Sequence, residues 1–271
     1  MQGSSRAAAA AGQEVFEAAL AGGSVDPASL ADDLLGVAAA IDSSAALRRA
    51  LTDPTRDAAA KGGLARNLLA GKASGAAIDV VATLAGQRWS VDRDLTDTIE
   101  RFAVEALAAS AAAQGRGDQV EDELFRFERI VAGTPALRDA LTDRHADAGG
   151  KAALVDRLLA DKVSPATARL ARQAVSAPRG RRFSTVIDEY LGILAERRAQ
   201  LAATVTSAVE LDGSQRERLA AALTRIYGKQ VHLNVVLDPS VVGGIKVEIG
   251  DEVVDGTVLR KLEGARRHFG S

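Results

Sequence analysis

The sequence predicts a mainly α-helical protein that ends in a small α+β unit. A duplicated helical-bundle domain is followed by a strand, a helix, two strands and a helix. Three observations support this fold class. Apolar residues make up 47% of the chain but aromatic residues only 3%, and an apolar share that leans on alanine and leucine favours closely packed helices. The helical pattern of the first 200 residues contains an internal duplication. From residue 201 onward apolar and polar residues alternate, as they do in strands with one buried face.

The duplication has a spacing of 90 residues. Residues 46–53 read ALRRALTD and residues 136–143 read ALRDALTD, with seven identities in eight. Across 46–72 and 136–162, 15 of 27 positions are identical without a gap. A solenoid would need more copies of a shorter unit, so the duplication predicts a repeated helical domain.

Capping residues and apolar faces predict the helices. Ser4 or Ser5 is placed to cap a first helix whose Val15, Phe16 and Leu20 share one face. Asp26 followed by Pro27 opens the next helix. After the first helix, the predicted helical ranges are 27–51, 55–70, 75–88, 93–114, 117–132, 134–142, 146–160, 164–177 and 181–200.

The C-terminal part alternates between strands and helices. Residues 201–209 predict a strand, and Ser214 with Glu217 predicts a capping box for a helix that Gly228 ends. Strands are predicted at 231–237 and 245–249, and Gly250-Asp251 predicts a tight hairpin leading to Val253-Val254. A closing helix follows, with these apolar residues on one face: Val258, Leu262, Ala265 and Phe269.

The sequence indicates no catalytic, cofactor-binding or metal site. His145, His232 and His268 lack metal-ligand spacing, and Gly71-Lys72 lacks the first glycine of a phosphate-binding loop. The net charge of −2 gives no electrostatic reason to expect nucleic acid as a partner. No run of 18 apolar residues exists, so no direct insertion into a membrane is expected. The sequence therefore gives little support to an α+β enzyme, because no acid–base or nucleophile constellation appears.

Several residues admit two interpretations. The basic cluster 179–182 is either a solvated turn or a surface that faces a partner. Asp255 is expected to cap the final helix, and the pair Gly243-Gly244 to provide a conformationally free turn and not an anion site. Trp89, the single tryptophan, is expected to anchor a contact between helices.

Residues 231–271 carry a dense pattern of motifs that resembles the C-terminal signature of the delta subunit of F-type ATP synthases, the homologue of the mitochondrial oligomycin-sensitivity subunit. The signature consists of an alternating strand, Asp-Pro, an apolar pair, Gly-Gly, a second strand and Asp-Gly-Ser/Thr before a helix. It occurs here, with a hairpin glycine, at Asp238, Pro239, Val241-Val242, Gly243, Gly244, Ile245-Lys246-Val247, Gly250, Asp255, Gly256 and Thr257. Residues 98–271 together resemble one complete chain of that family.

The resemblance implies three segments. Residues 98–200 correspond to the helical N-terminal domain of the family and 201–271 to its C-terminal α+β domain. Residues 1–97 are a departure, an extra partial copy of the helical domain, as in the extended delta chains of high-GC Gram-positive bacteria. The sequence does not decide which of the two copies caps the catalytic head of the synthase.

The resemblance also implies function and partners. A delta subunit is a non-catalytic stator: it joins the alpha subunits of the catalytic head to the membrane-anchored b subunit, so that proton flow is coupled to ATP synthesis. The expected location is the cytoplasmic face of the cell membrane, held through the complex and without a cofactor. Candidate walls of a groove for a partner helix are Val15, Phe16, Leu20, Phe102, Val104 and Leu107. The alternative for these residues is that they fill their own core, and the alternative function is a free-standing helical adaptor without a role in a synthase.

Overall fold

The computed structural model describes residues 3–23, 25–143, 145–227, 231–238, 241, 244–249 and 252–255. The chain divides into two compact units, Met1–Ala195 and Glu196–Ser271. The first is helical and the second contains a four-stranded sheet, which confirms the predicted fold class. Within the described ranges, no helix has both the length and the hydropathy needed to cross a bilayer.

The first unit is built from helices joined by short links. They are α1 (Gly3–Ala21), α2 (Pro27–Ser43), α3 (Ala45–Thr52), α4 (Ala58–Leu69), α5 (Gly75–Gly86), α6 (Arg93–Ala113), α7 (Gly117–Gly133), α8 (Pro135–Thr142), α9 (Ala148–Leu159), α10 (Pro165–Ser176) and α11 (Phe183–Leu201). The last residues of α11 belong to the second unit.

The helices follow the 90-residue duplication closely. Each of α6 to α10 begins 90 residues after its counterpart among α1 to α5, and α11 begins 90 residues after α6. The helix α6 therefore has two roles, because it ends one set of six helices and begins the next. We call α1–α6 the first bundle and α6–α11 the second bundle.

The shared helix changes the predicted division of the chain. The sequence placed a boundary between residues 97 and 98, but α6 runs through this position without interruption. Helix α6 packs against three helices that precede it in the chain, α1, α2 and α5, and against two that follow it, α7 and α10. A single hydrophobic core extends from Ala8 to Leu194. Residues 1–97 and the helices that follow thus form one unit and not two.

The link before α5 and the link before α10 are held by equivalent hydrogen bonds. Asp33 Oδ2 accepts a hydrogen bond of 2.8 Å from the amide of Ser74, and Glu123 Oε2 accepts one of 2.8 Å from the amide of Ser164. Each serine caps the next helix with its hydroxyl oxygen. Since the two contacts are 90 residues apart, the duplication preserved a tertiary hydrogen bond as well as the helices.

Two local predictions about the first helices were wrong. The range 27–51 is not one helix, because Ser44 adopts an extended backbone (φ −129°, ψ 99°) and its hydroxyl accepts from the amide of Leu47, which starts α3. In the second bundle Thr134 followed by Pro135 indicates the equivalent break. Ser44 has no proline beside it, so the sequence lacks this signal in the first bundle. Ser5 is not a cap either: it lies inside α1, buried, and its hydroxyl accepts from the amide of Ser90 at 2.9 Å.

The second unit is a mixed sheet with one helix. Its elements are β1 (Ala202–Ser207), α12 (Gly213–Tyr227), β2 (His232–Leu237), β3 (Ile245–Ile249) and β4 (Glu252–Asp255). The strand order is β2-β1-β3-β4, with β1 and β2 parallel and the other neighbours antiparallel. A parallel pair needs a crossover, and α12 provides it. The small core of this unit contains Ala203, Val205, Leu223 and Val247.

The capping box of α12 lies two residues before the predicted one. The side chain of Asp212 accepts from the amide of Gln215 at 2.7 Å, and Gln215 Oε1 accepts from the amide of Asp212 at 2.9 Å. This reciprocal pair is the capping-box geometry. Ser214 donates its hydroxyl to Asp212 instead of acting as the cap, so the prediction for Ser214 and Glu217 was wrong.

Candidate functional site

Four of the six predicted groove residues lie in the core. Phe16 and Phe102 stack with ring centroids 4.8 Å apart, and their exposures are 0% and 1%. Val104 and Leu107 are equally buried, while Val15 and Leu20 are partly buried and pack against the same core. The structure thus brings α1 and α6 together as the sequence suggested, but as packed core and not as the walls of an open groove.

The most unusual buried group is the carboxylate of Glu100 in α6, whose side chain is 3% exposed. It forms an ion pair with Arg179, and Arg181 Nη2 donates to its Oε2 at 2.8 Å. The hydroxyl of Tyr190 donates to Oε1 at 2.8 Å, and the side-chain amide of Gln173 donates to the same oxygen from Nε2 at 3.1 Å. Both oxygens of the buried carboxylate therefore have donors, as a charge at this depth requires.

Arg179 extends this cluster to the first bundle. Its guanidinium lies 3.3 Å from Asp42 Oδ2 near the end of α2 and 3.3 Å from Asp97 Oδ1 in α6. The side chain is only 5% exposed, and its backbone has a φ of 49°, a region that residues with a Cβ rarely adopt. Three carboxylates hold the residue in this conformation. Arg179 is thus a tie between the two bundles, and neither a solvated turn nor a free patch for a partner.

Burial and charge shift the pKa values of three groups around Glu100. It raises the pKa of Tyr190 well above its usual value, and the negative charge of Glu100 adds to that effect. Burial also raises the pKa of Asp97, although Arg179 and Arg181 oppose it. For Arg181, burial alone would lower the pKa, but the charge and hydrogen bond of Glu100 outweigh it and raise the pKa. At neutral pH Tyr190 is therefore neutral and Arg181 is charged.

A cleft of about 740 Å³ opens beside this cluster in the second bundle. Its apolar lining includes Val131, Leu141 and Phe183, from α7, α8 and the start of α11. Its charged lining consists of Glu128, Arg138, Lys151, Arg181 and Arg182. Since Arg181 is paired with Glu100 and Glu189, three other cations remain in the cleft against the carboxylate of Glu128. A cleft of this size with an apolar floor and a charged rim is suited to binding.

Comparison with known proteins identifies the family. Residues 99–269 match the model of the ATP synthase delta (OSCP) subunit. The ATP synthase subunit delta of Kineococcus radiotolerans is 47% identical over 267 residues, which cover 98% of this chain and 97% of that protein. The chain belongs to the ATP synthase delta (OSCP) subunit family.

Other relatives extend the match. The ATP synthase subunit delta of Streptomyces avermitilis is 45% identical over 269 residues, covering 99% of this chain and 98% of that protein. That of Thermobifida fusca is 43% identical over 246 residues, covering 91% of each. These relatives align with the chain nearly from end to end, whereas the family model begins at residue 99. The cleft, Glu100 and Arg179 lie within the part that the family model matches, and Asp42 lies outside it.

The C-terminal signature that predicted this family is described only in part. The amide of Asp238 donates to Ser207 O at 3.0 Å and its carbonyl accepts from the amide of Val241, so the chain turns where β2 ends. Gly244 has a φ of 88°, the left-handed region that glycine adopts without strain. Ile249 pairs with Glu252, which confirms a two-residue link between β3 and β4. Pro239, Gly243, Gly250, Gly256 and the closing helix lie outside the described residues, as does any cap by the Asp255 side chain.

Sequence reasoning did not single out Glu100 and Tyr190 and misjudged Arg179. Glu100 and Tyr190 hold the same position in α6 and α11, 90 residues apart, so aligning the repeats would have paired them. Nothing in the pattern alone showed that a charged residue would be buried there. In the described part of the chain, no three His, Asp or Glu side chains lie close enough together to hold a metal ion.

Proposed function

We propose that this chain is a non-catalytic stator subunit of the peripheral stalk of an ATP synthase. Its family membership, with relatives named as delta subunits over nearly the whole chain, carries this proposal. In a rotary synthase the head must be held against the turning shaft, and a subunit with that task needs affinity and stiffness. It needs no active site.

The helical unit attaches to the alpha subunits of the head, and the C-terminal unit holds the membrane-anchored b subunit. The division into two units with separate hydrophobic cores supports this assignment, because each unit offers its own surface to one partner. The chain then works at the cytoplasmic face of the membrane, held through the complex, and couples proton flow to ATP synthesis.

The stiffness of the helical unit supports the same role. The shared helix α6 and the cluster of Glu100, Arg179 and Asp42 join the two bundles through packing and buried ion pairs. A buried carboxylate that loses its partners is strongly unfavourable, so relative movement of the bundles is costly. A connector under torque benefits from such a joint.

Crosslinking of the intact synthase tests the proposal. Lysine and carboxylate crosslinks from residues 3–195 are expected to reach alpha subunits, and crosslinks from residues 196–255 are expected to reach b. Purification of the tagged full-length chain provides the second readout, since alpha and b should accompany it. Recovery without either subunit would contradict the stator and favour a free-standing helical adaptor.

A further inference from the structure

The two bundles differ in how the link before their last helix is held. In the first bundle, Lys61 Nζ donates to the carbonyl of Gln87 at 2.7 Å, and the indole of Trp89 donates to the carbonyl of Leu84 at 2.9 Å. Both donors are buried, with exposures of 2% and 9%. These two contacts close the link before α6 onto α4 and α5.

The counterparts of both donors, 90 residues later, make other contacts. Lys151 donates to the carbonyl of Asp143 at 3.1 Å, in the link between α8 and α9. Arg179 takes the position of the tryptophan, but it pairs with Glu100 and so is directed to the joint with the first bundle. The cleft lies where these two closing contacts are lost, because Lys151 and residues 180–182 of the link before α11 both line it.

A change of charge occurs at the same place. In the first bundle, Arg48 Nε of α3 lies 3.1 Å from Oδ2 of Asp92, the residue before α6. The residues 90 positions later are Arg138 of α8 and Arg182, the residue before α11, and both line the cleft. Where the first bundle has a carboxylate facing an arginine, the second therefore has a second arginine.

The cations of the cleft have little compensation from the chain itself. Arg138 has the adjacent Asp139 at 3.7 Å, a contact too long for a strong ion pair. Within the described ranges, Arg182 has no acidic partner, and the carboxylate of Glu128 pairs with none of the cations that line the cleft. The amine of Lys151 donates to a carbonyl and not to a carboxylate. The excess of positive charge favours an anionic ligand.

We propose that the cleft of the second bundle is a binding site for a small organic acid with an apolar body. The carboxylate of the acid lies between Arg138 and Arg182, where the first bundle has the carboxylate of Asp92, and its body lies on the apolar floor of the cleft. Two arginines hold a carboxylate through charge-assisted hydrogen bonds. The volume of about 740 Å³ falls within the range of about 300–1,000 Å³ that is typical of small-molecule sites. Such binding is a property of the chain alone and does not depend on the proposed function.

Calorimetric titration of the full-length chain with decanoate at neutral pH tests the site. Decanoate combines a carboxylate with an apolar chain, decanol has the chain without the charge, and acetate has the charge without the chain. One decanoate per chain should bind, at least about tenfold more tightly than either control, because the charge-assisted hydrogen bonds and the burial of the apolar chain both contribute. Absence of decanoate binding, or equal binding of decanol or acetate, would overturn the inference.

Variants locate the bound acid. Arg182→Asp recreates in the second bundle the internal pair of the first and should weaken decanoate binding by about tenfold or more, because the carboxylate of the ligand is then repelled. Arg138→Gln removes the other cation and should weaken binding in the same direction. Both residues are exposed, so neither change disturbs the core.

Arg129→Asp provides the matched control, since it makes the same charge change at an exposed position of α7 that does not line the cleft. Its affinity for decanoate should equal that of the wild type. An unchanged affinity for Arg182→Asp would place the acid elsewhere and overturn the inference. Equal losses for Arg182→Asp and Arg129→Asp would also overturn it, because they would show that the overall charge of the chain attracts the acid and not this site.

Discussion

The hydroxyl of Tyr190 donates a hydrogen bond of 2.8 Å to the carboxylate of Glu100, and the two residues hold the same position in α11 and α6. Two equivalent sites of a duplicated chain have thus become partners in one buried contact. Because Arg179 and Arg181 also pair with Glu100, the contact forms the centre of a joint between the bundles.

The first prediction concerns the charge of Glu100. Glu100→Gln should lower the free energy of unfolding by about 3–5 kcal/mol, since it leaves buried arginines without their carboxylate. Denaturant unfolding measures the change. Glu14→Gln, at an exposed position of α1, should change it by less than about 0.5 kcal/mol. Equal effects of the two variants would show that the cluster is not a joint.

The second prediction concerns alkaline stability. The pKa of Tyr190 is raised in the folded chain, so the neutral phenol stabilises the fold fully below the unfolded pKa of about 10. This contribution is lost as the pH rises from there towards the folded pKa. The stability of Tyr190→Phe should be lower than wild type at pH 8, and the difference should shrink above about pH 10. A difference that stays constant up to pH 11 would refute this account.

The third prediction concerns acid stability. Burial alone would raise the pKa of Glu123, but the hydrogen bonds from Thr167 and Ser164 outweigh it and lower the pKa. The ionised carboxylate therefore stabilises the fold above the unfolded pKa of about 4.3, and this contribution is lost as the pH falls through the folded value. Glu123→Gln should cost about 1–2 kcal/mol at pH 7 and much less at pH 3. Denaturant unfolding of wild type and variant at both pH values measures this loss of stability. An equal loss at pH 3 and pH 7 would contradict a stabilising role for the ionised carboxylate.

The fourth prediction uses two helical glycines. A Cβ at Gly12 of α1 would lie 2.3 Å from Leu84 Cδ2 and 3.2 Å from Phe102 Cε2, whereas a Cβ at Gly36 of α2 meets nothing within 4 Å. Gly12→Ala should destabilise by about 1–2 kcal/mol because the core is overpacked. Gly36→Ala should stabilise by up to about 1 kcal/mol through helix propensity.

Thermal unfolding of the two variants gives opposite shifts in Tm if the packing of α1 on α5 and α6 is correct. Shifts of the same sign would mean that α1 does not approach these helices closely at Gly12. Circular dichroism before melting serves as the control for an intact helical fold in each variant.

The sequence alone determined the fold class, nearly every helix and the family. The Asp26 cap, the apolar periodicity and the dense motifs after residue 231 are local signals, and local signals can be recognised without knowledge of the fold. The 90-residue spacing also predicted the duplication, which the helix boundaries follow.

Tertiary structure decided what no local pattern contains. The helical pattern of α6 does not show that one helix serves two bundles, and the boundary predicted at residue 97 falls inside this helix. The apolar faces of Phe16 and Phe102 were predicted correctly, but only packing shows that the two rings stack on each other inside the core. The burial of Glu100 and Arg179 depends on residues brought together from α2, α6 and the link before α11. A charge is buried only where distant partners compensate its lost hydration, and that condition belongs to the fold as a whole.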